Sequence, residues 1–253
     1  MALVLSIAAK ELRSLFLSPL AWTVLAVVQI VLAYLFLIQL ESFLEWQPRL
    51  ASVTNAPGLT ALVVAPLFNT AGSIMMMVVP LLTMRLVSEE LRSGTFTLLL
   101  SAPRSMTEVV LGKFMGVVIF LCMVLALLLI MSLLLLLGGD LDLGLLAACM
   151  LGLFLLLLSF ASAGLYMSTL TQQPAAAAAS SFGLLLLLWV IDFAGAGSES
   201  RSSTLFAYLS ISNHVNAFFR GVFDTRDVVY YLLFMTAFLA LSVRRLDGLR
   251  LQR

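Results

Sequence analysis

Residues able to make or break covalent bonds are scarce in this chain. It has one histidine, His214, and two cysteines, Cys122 and Cys149. One imidazole cannot build a His-rich metal cluster. No CxxC, HExxH or GxSxG pattern occurs. Gly112-Lys113 is followed by Phe114, so the phosphate loop GxxxxGK[ST] is missing too. His214 then reads as a surface residue, and the two thiols, each inside an apolar run, as buried and unbridged. The segment SEELRSGTFTLLLSAPRS, Ser88 to Ser105, is different: two carboxylates, two arginines, a glycine and a proline bracket a short apolar run. Those residue types suit an ordered connection whose apolar run needs a partner surface or the lipid interface, not bond chemistry.

The elements around that segment are oily. Of 253 residues, 62% are hydrophobic and 11% charged, with mean hydropathy +1.12. Soluble domains carry about 25% charged residues, so lipid is the solvent for most of this chain. A net charge of +1 gives no whole-chain case for nucleic-acid binding. A crossing helix needs about 20 apolar residues. The charge-free intervals Ser14–Leu40 and Phe114–Gly139 each supply one. Leu50–Met84 supplies one at about 66–87, with Pro48, Pro57, Gly58 and Pro66 predicting irregular structure over 41–65. Leu143–Ile191 is long enough for two, divided at the polar turn Thr171–Pro174. Val228–Val243 supplies a short last one. The expected fold is an all-α membrane domain over 1–253, with spans at about 15–40, 66–87, 108–137, 143–169, 174–194 and 228–243. The spans hold essentially no ionisable residue at mid-membrane, with Asp192 at the end of the fifth.

Six spans place both ends on one side. Ten lysines and arginines (Lys10, Arg13, Arg85, Arg92, Arg104, Lys113, Arg244, Arg245, Arg250, Arg253) fall on the side of the termini and four on the other. The basic bias predicts cytoplasmic termini and a cytoplasmic Ser88–Ser105. The N-terminus has its apolar residues before Lys10, Glu11 and Arg13, the reverse of a cleaved signal peptide. Leu5, Ala8, Leu12 and Leu15 share one helical face, and Ser6, Lys10 and Arg13 another. This spacing suits a helix in the membrane interface. The aromatic and charged stretch SISNHVNAFFRGVFDTRDVV suits another on the outer side. Small residues in Gly112–Gly116 and Ala175–Ser181 mark close helix approaches, within a chain or between copies.

Within the polar segment, Ser88–Arg92 can continue the second span as a charged helix ended by Gly94, which takes a left-handed conformation cheaply. Thr95–Ser101 is a short apolar run stopped by Pro103. Ser105-Met-Thr-Glu108 is a capping box that starts the third span. The cluster Phe96, Leu98, Leu99 and Leu100 needs either a partner surface or the lipid interface.

EELRSGTFTLLLSAPRS resembles the cytoplasmic segment between spans two and three of ABC-2 type permeases, best in their gliding-motility and copper-processing (nitrous-oxide-reductase maturation) branches. That segment commonly reads E-x-R-x-G-T-x-E-x-L-L-x-x-P-x-S; Glu90, Arg92, Gly94, Thr95, Leu99, Pro103 and Ser105 match, while Thr97 and Arg104 depart. The opening AAKELRSLFLSPLAW and the closing NHVNAFFRGVFDTRDVVYY resemble the family's ends. The resemblance implies that Glu90 to Pro103, with Glu90, Arg92, Gly94, Thr95, Phe96, Leu98, Leu99, Leu100 and Pro103, form a coupling helix in a groove of a separate ATPase subunit. It also implies two permease copies with two ATPase copies that bind ATP and Mg in their own sites.

These readings converge on a permease subunit of an ATP-binding cassette transporter in a bacterial inner membrane. No cofactor is expected on this chain, and an auxiliary periplasmic or membrane subunit is an open partner. A non-transporting scaffold that recruits other proteins is the alternative. A secondary transporter is disfavoured by the lack of mid-membrane charge.

Overall fold

The computed structural model describes residues 2–50, 58–95, 105–138, 140–195 and 210–251. It contains no strand among them, and six helices are long and apolar enough to cross a membrane. Helix α1 covers Ala2–Leu17 and α2 Pro19–Leu50. A π-helical turn, Thr60–Val64, leads into α3, Ala65–Thr83, and a short α4 follows at Ser88–Ser93. Then come α5 (Met106–Leu134), α6 (Leu143–Leu170), α7 (Pro174–Gly195), α8 (Ile211–Phe219) and α9 (Thr225–Leu251).

Helix α6 is the axis of the bundle. It packs against α3, α5, α7, α8 and α9, and 56% of its most apolar stretch is buried, against 17% in α7 and in α9. Its sequence explains this. It is apolar on every side, as a helix enclosed by others must be. It also places Gly152, Ser159, Ser162, Ala163, Gly164 and Ser168 where neighbours come close, and small residues permit such approach between membrane helices. A Cβ on Gly164 would lie 2.1 Å from Thr83 Oγ1, and one on Gly152 would lie 2.6 Å from Phe218 Cβ. Each glycine is therefore a notch for one knob, from α3 and from α8.

The expectation of irregular structure over 41–65 needs correction at both ends, while residues 51–57 lie outside the described residues. Residues 41–50 continue α2; Pro48 removes the one hydrogen bond its N–H would make to the residue-44 carbonyl, and the helix ends two residues later at Leu50. Residues 60–64 are also helical. There the Ala65 N–H donates to Thr60 O, five residues back, and Pro66 follows without an N–H. The widened turn absorbs the proline instead of ending the helix. The last helix also runs well beyond 228–243 at both ends. Cys149 is buried, whereas Cys122 is exposed on the surface of the bundle, contrary to the reading of both as buried.

The first helix buries Ala8, Leu12 and Leu15 of the face its pattern suggests, but the face is turned so that Leu5 lies outside it and Glu11 inside. Leu5 is 62% exposed, while Ala8 is buried and Val4, Ile7, Glu11, Leu12 and Leu15 are partly so. The reason lies on α5, the main neighbour of α1. A Cβ on Gly112 would lie 2.7 Å from Ile7 Cβ, and one on Gly116 would lie 2.9 Å from Glu11 Cβ. The GKFMG sequence is thus a contact within the chain, and it turns Glu11 inward.

Candidate functional site

The end of the bundle that carries most of the basic residues (the basic end) brings α1, α3, α4, α5 and α6 together around one buried cation. Lys113 lies two turns into α5, and its side chain is only 3% exposed. Its ammonium has three donors and three acceptors: Glu11 Oε1 at 2.7 Å, Glu90 Oε1 at 2.8 Å and the Leu86 carbonyl at 2.6 Å. Glu11 comes from α1, Glu90 from α4, and Leu86 from the turn between α3 and α4. A buried charge is tolerated only when paired and hydrogen-bonded, and every donor of this one is used. Two carboxylates face one ammonium, so the cluster keeps an excess negative charge. Glu90 Oε2 has no hydrogen-bond partner among the described residues.

The turn at Met84–Val87 is held from its other side by α6. Ser168 Oγ accepts from the Val87 and Ser88 N–H groups, each at 3.1 Å, and donates to the Met84 carbonyl at 3.0 Å. The Ser88 hydroxyl also donates to the Met84 carbonyl. The free amides that a new helix start would leave without partners are thereby satisfied. Helix α4 is too short to be stable alone, yet its first turn is fixed to α6 by Ser168 and to α5 and α1 by Lys113. It ends at Gly94, whose φ of 73° is the left-handed conformation expected of a helix-terminating glycine. The Ser105–Glu108 capping box is present at the start of α5, with Glu108 N–H to Ser105 Oγ at 3.3 Å and Ser105 N–H to Glu108 Oε2 at 3.4 Å.

Of the residues singled out in the sequence, Glu11 and Glu90 meet at Lys113. Lys10 and Arg13 are exposed on α1, and Arg92 is exposed on α4. Thr95 Oγ1 lies 2.8 Å from Ser93 Oγ. Phe96, Leu98, Leu99, Leu100 and Pro103 lie outside the described residues. Beside α4, a hollow of about 970 Å³ opens between it and the Thr171–Pro174 turn, lined by Arg85, Glu89, Arg92, Gln172 and Gln173 among others. It adjoins Gly94, where the chain enters the apolar run.

Lys113 is the functional candidate that sequence reasoning missed. It was counted only as a flanking charge. The signal was a lysine inside a GxxxG pattern at the start of an apolar helix, on the face that must meet a neighbour closely. His214 needs the opposite correction. It is buried, not a surface residue: its Nδ1 lies 2.6 Å from Asp227 Oδ1 and its ring stacks on Tyr230 at 4.1 Å. Tyr231 donates its hydroxyl to the Ile211 carbonyl at 2.7 Å. These contacts fasten α8 to α9 at the far end of the bundle. Among the described residues there is no group of three or more potential metal ligands.

The arrangement therefore offers no catalytic constellation in the described residues, and a mechanical junction instead. A displacement of α4 must move α1, α5 and α6 or break a buried ion cluster. Comparison with curated proteins finds no match. Residues 5–247 match the model of the family described as ABC-2 family transporter protein. With almost the whole chain matched, and six apolar helices of crossing length, this multi-pass membrane protein belongs to the ABC-2 transporter family.

Proposed function

We propose that this chain is the permease subunit of an ATP-driven transporter of a bacterial inner membrane, closest to the gliding-motility and copper-processing branches, with both termini in the cytoplasm. Two copies pair with two copies of an ATP-binding-cassette ATPase, an assembly that an auxiliary periplasmic or membrane subunit would extend. ATP and Mg belong to the ATPase, and this chain hydrolyses nothing. Family membership supports an ATPase partner. The observation that carries the coupling mechanism is the Lys113 cluster. It ties α4, the helix that runs directly into Thr95–Pro103, to α1, to α5 and, through the neighbouring Ser168, to α6.

In this reading the apolar run Phe96, Leu98, Leu99 and Leu100 is buried against the ATPase, with Glu90, Arg92, Gly94, Thr95 and Pro103 shaping its approach. Nucleotide-driven closure pushes on that run. The push reaches α4, and the ion cluster carries it into the bundle. A ligand or nucleotide shifts a conformational equilibrium only by its differential affinity for the two states. A stiff connection is what lets the ATPase's preference become the bundle's preference.

The test is Leu99→Asp. A carboxylate placed in a desolvated contact costs several kcal/mol, and about 1.4 kcal/mol is a factor of ten in affinity. Co-purification of the ATPase falls by orders of magnitude, while insertion and expression persist. An undiminished complex would remove the coupling role from this segment. A complex that turns over ATP but moves nothing in any reconstitution would favour the scaffold reading. Orientation is tested by membrane-impermeant thiol labelling on a cysteine-free background. A cysteine at Ser200 reacts from outside, and cysteines at Ser93 and Gln252 do not.

A further inference from the structure

A second cavity, of about 210 Å³, lies towards the far end between α3, α6, α7 and α8. Two of its walls carry the same device. Asn69 and Ser73 stand one turn apart on α3, and Ser212 and Asn216 stand one turn apart on α8. Both pairs have the i, i+4 spacing that sets side chains on one helical face. Trp189 of α7 and Phe160 of α6 supply aromatic surface beside them. No charged side chain lines the cavity among the described residues. Ser73 Oγ donates to the Asn69 backbone carbonyl at 3.3 Å and keeps its acceptor capacity. The side-chain amides of Asn69 and Asn216 bond to nothing among the described residues.

Asn69 and Ser73 are exposed, and Ser212 and Asn216 half-buried, so all four polar side chains are within reach of a molecule entering the cavity. The two pairs line one space that no charged residue lines among the described residues, and together they supply it with donors and acceptors. An ionic group would enter this space without a counter-charge and lose its hydration. An uncharged group rich in hydroxyls or amides would satisfy both walls. The rest of the lining is apolar, and ligand sites are typically apolar pockets with a few convergent polar groups. The volume suits one head group, not a whole lipid.

We propose that this cavity binds the uncharged, hydroxyl-bearing head of an amphiphile, held between the Asn69–Ser73 and Ser212–Asn216 pairs with its apolar body against the aromatic wall. This deepens the permease reading by giving the ligand class of a site inside the bundle. Binding is measured on the isolated chain without ATPase. Failure here would leave the permease reading standing, and a failed ATPase complex would leave this site standing.

The experiment uses the full chain in phosphatidylcholine nanodiscs, with Trp22→Phe and Trp46→Phe so that Trp189 is the only indole. Octyl glucoside below its micellar concentration is compared with octyl phosphate, octyl trimethylammonium and free glucose. The glucoside shifts Trp189 emission saturably, and the two charged octyl compounds have midpoints at least tenfold higher. Asn69→Leu with Asn216→Leu keeps the volume, removes both amides and raises the glucoside midpoint at least tenfold. The milder Ser73→Ala with Ser212→Ala raises it less and serves where the leucine pair is not monodisperse. A response to free glucose at a similar midpoint assigns the head to a soluble molecule; a response to the glucoside alone assigns it to a lipid-like one. Equal midpoints for all octyl compounds, or an amide-deleted chain that binds the glucoside unchanged, would overturn the proposal.

Discussion

The two ends of the bundle use the same device to opposite effect. At each, a short helix sits near a glycine notch of α6 and is fastened by a polar pair to a longer helix. At the basic end the notch is Gly164, the helix α4 and the fastening Lys113 with two carboxylates. At the far end the notch is Gly152, the helix α8 and the fastening His214 with Asp227. At the basic end the hollow lies beside α4, and the polar network that holds the helix is saturated: all three ammonium donors are used, and Ser168 serves three backbone groups at once. The far end leaves about 210 Å³ open under its short helix, with amides facing the space. One end is built to move only with its neighbours. The other has room to admit something. A transporter driven from one side needs both properties, and this chain separates them along the bundle.

Breaking the saturated network of the basic end has the largest effect. Lys113→Met keeps the bulk but leaves the partly buried Glu11 and Glu90 beside each other without a cation. Removing one partner of a buried ion pair costs about 3–5 kcal/mol, so the melting temperature of the detergent-solubilised chain drops steeply. The added change Glu11→Gln restores part of the loss, because one uncompensated carboxylate is gone. A chain whose stability ignores Lys113→Met would end the contrast between the two ends.

Ser168→Ala is the next step down. It leaves the Val87 and Ser88 N–H groups without their acceptor while α4 keeps Lys113. An unsatisfied buried donor costs about 1–3 kcal/mol. Amide exchange at Val87 and Ser88 accelerates relative to α3. Unchanged protection there would mean that Lys113 alone holds α4.

The smallest effect belongs to the far end. Asp227→Asn keeps the shape of the His214 contact and weakens its hydrogen bond. A neutral hydrogen bond contributes about 0.5–1.5 kcal/mol net, and Tyr231 still holds the Ile211 carbonyl. Global stability changes little. A loss as large as that of Lys113→Met would make the far end as rigidly built as the basic one.

The contrast also marks what the sequence could convey. Charge-free intervals located all six crossing helices because lipid imposes a length and a composition on each. Gly94 and the Ser105–Glu108 capping box were legible because backbone chemistry at a helix end is local. Lys113 was not, since its partners stand 102 and 23 residues away and no local rule pairs them. His214 was misread for the same reason, its packing against Tyr230 being a tertiary fact. The rotation of α1 that leaves Leu5 out and brings Glu11 in is not legible, because glycines on another helix, Gly112 and Gly116, decide which side can come close. The prolines around residues 41–65 were read as breakers, but one lies in a final turn and another follows a widened one.

The separation between Glu11 and Lys113 also sets a timetable for synthesis. At about 5–20 residues per second, the ribosome delivers the lysine roughly 5–20 s after the glutamate. During that interval α1 has left the ribosome, but the helix whose glycines and ammonium will receive it has not. The first helix made therefore waits for the fifth before it can be seated. A nascent chain arrested before residue 113 presents Glu11 to water, and release of the arrest, not the birth of α1, closes the basic end.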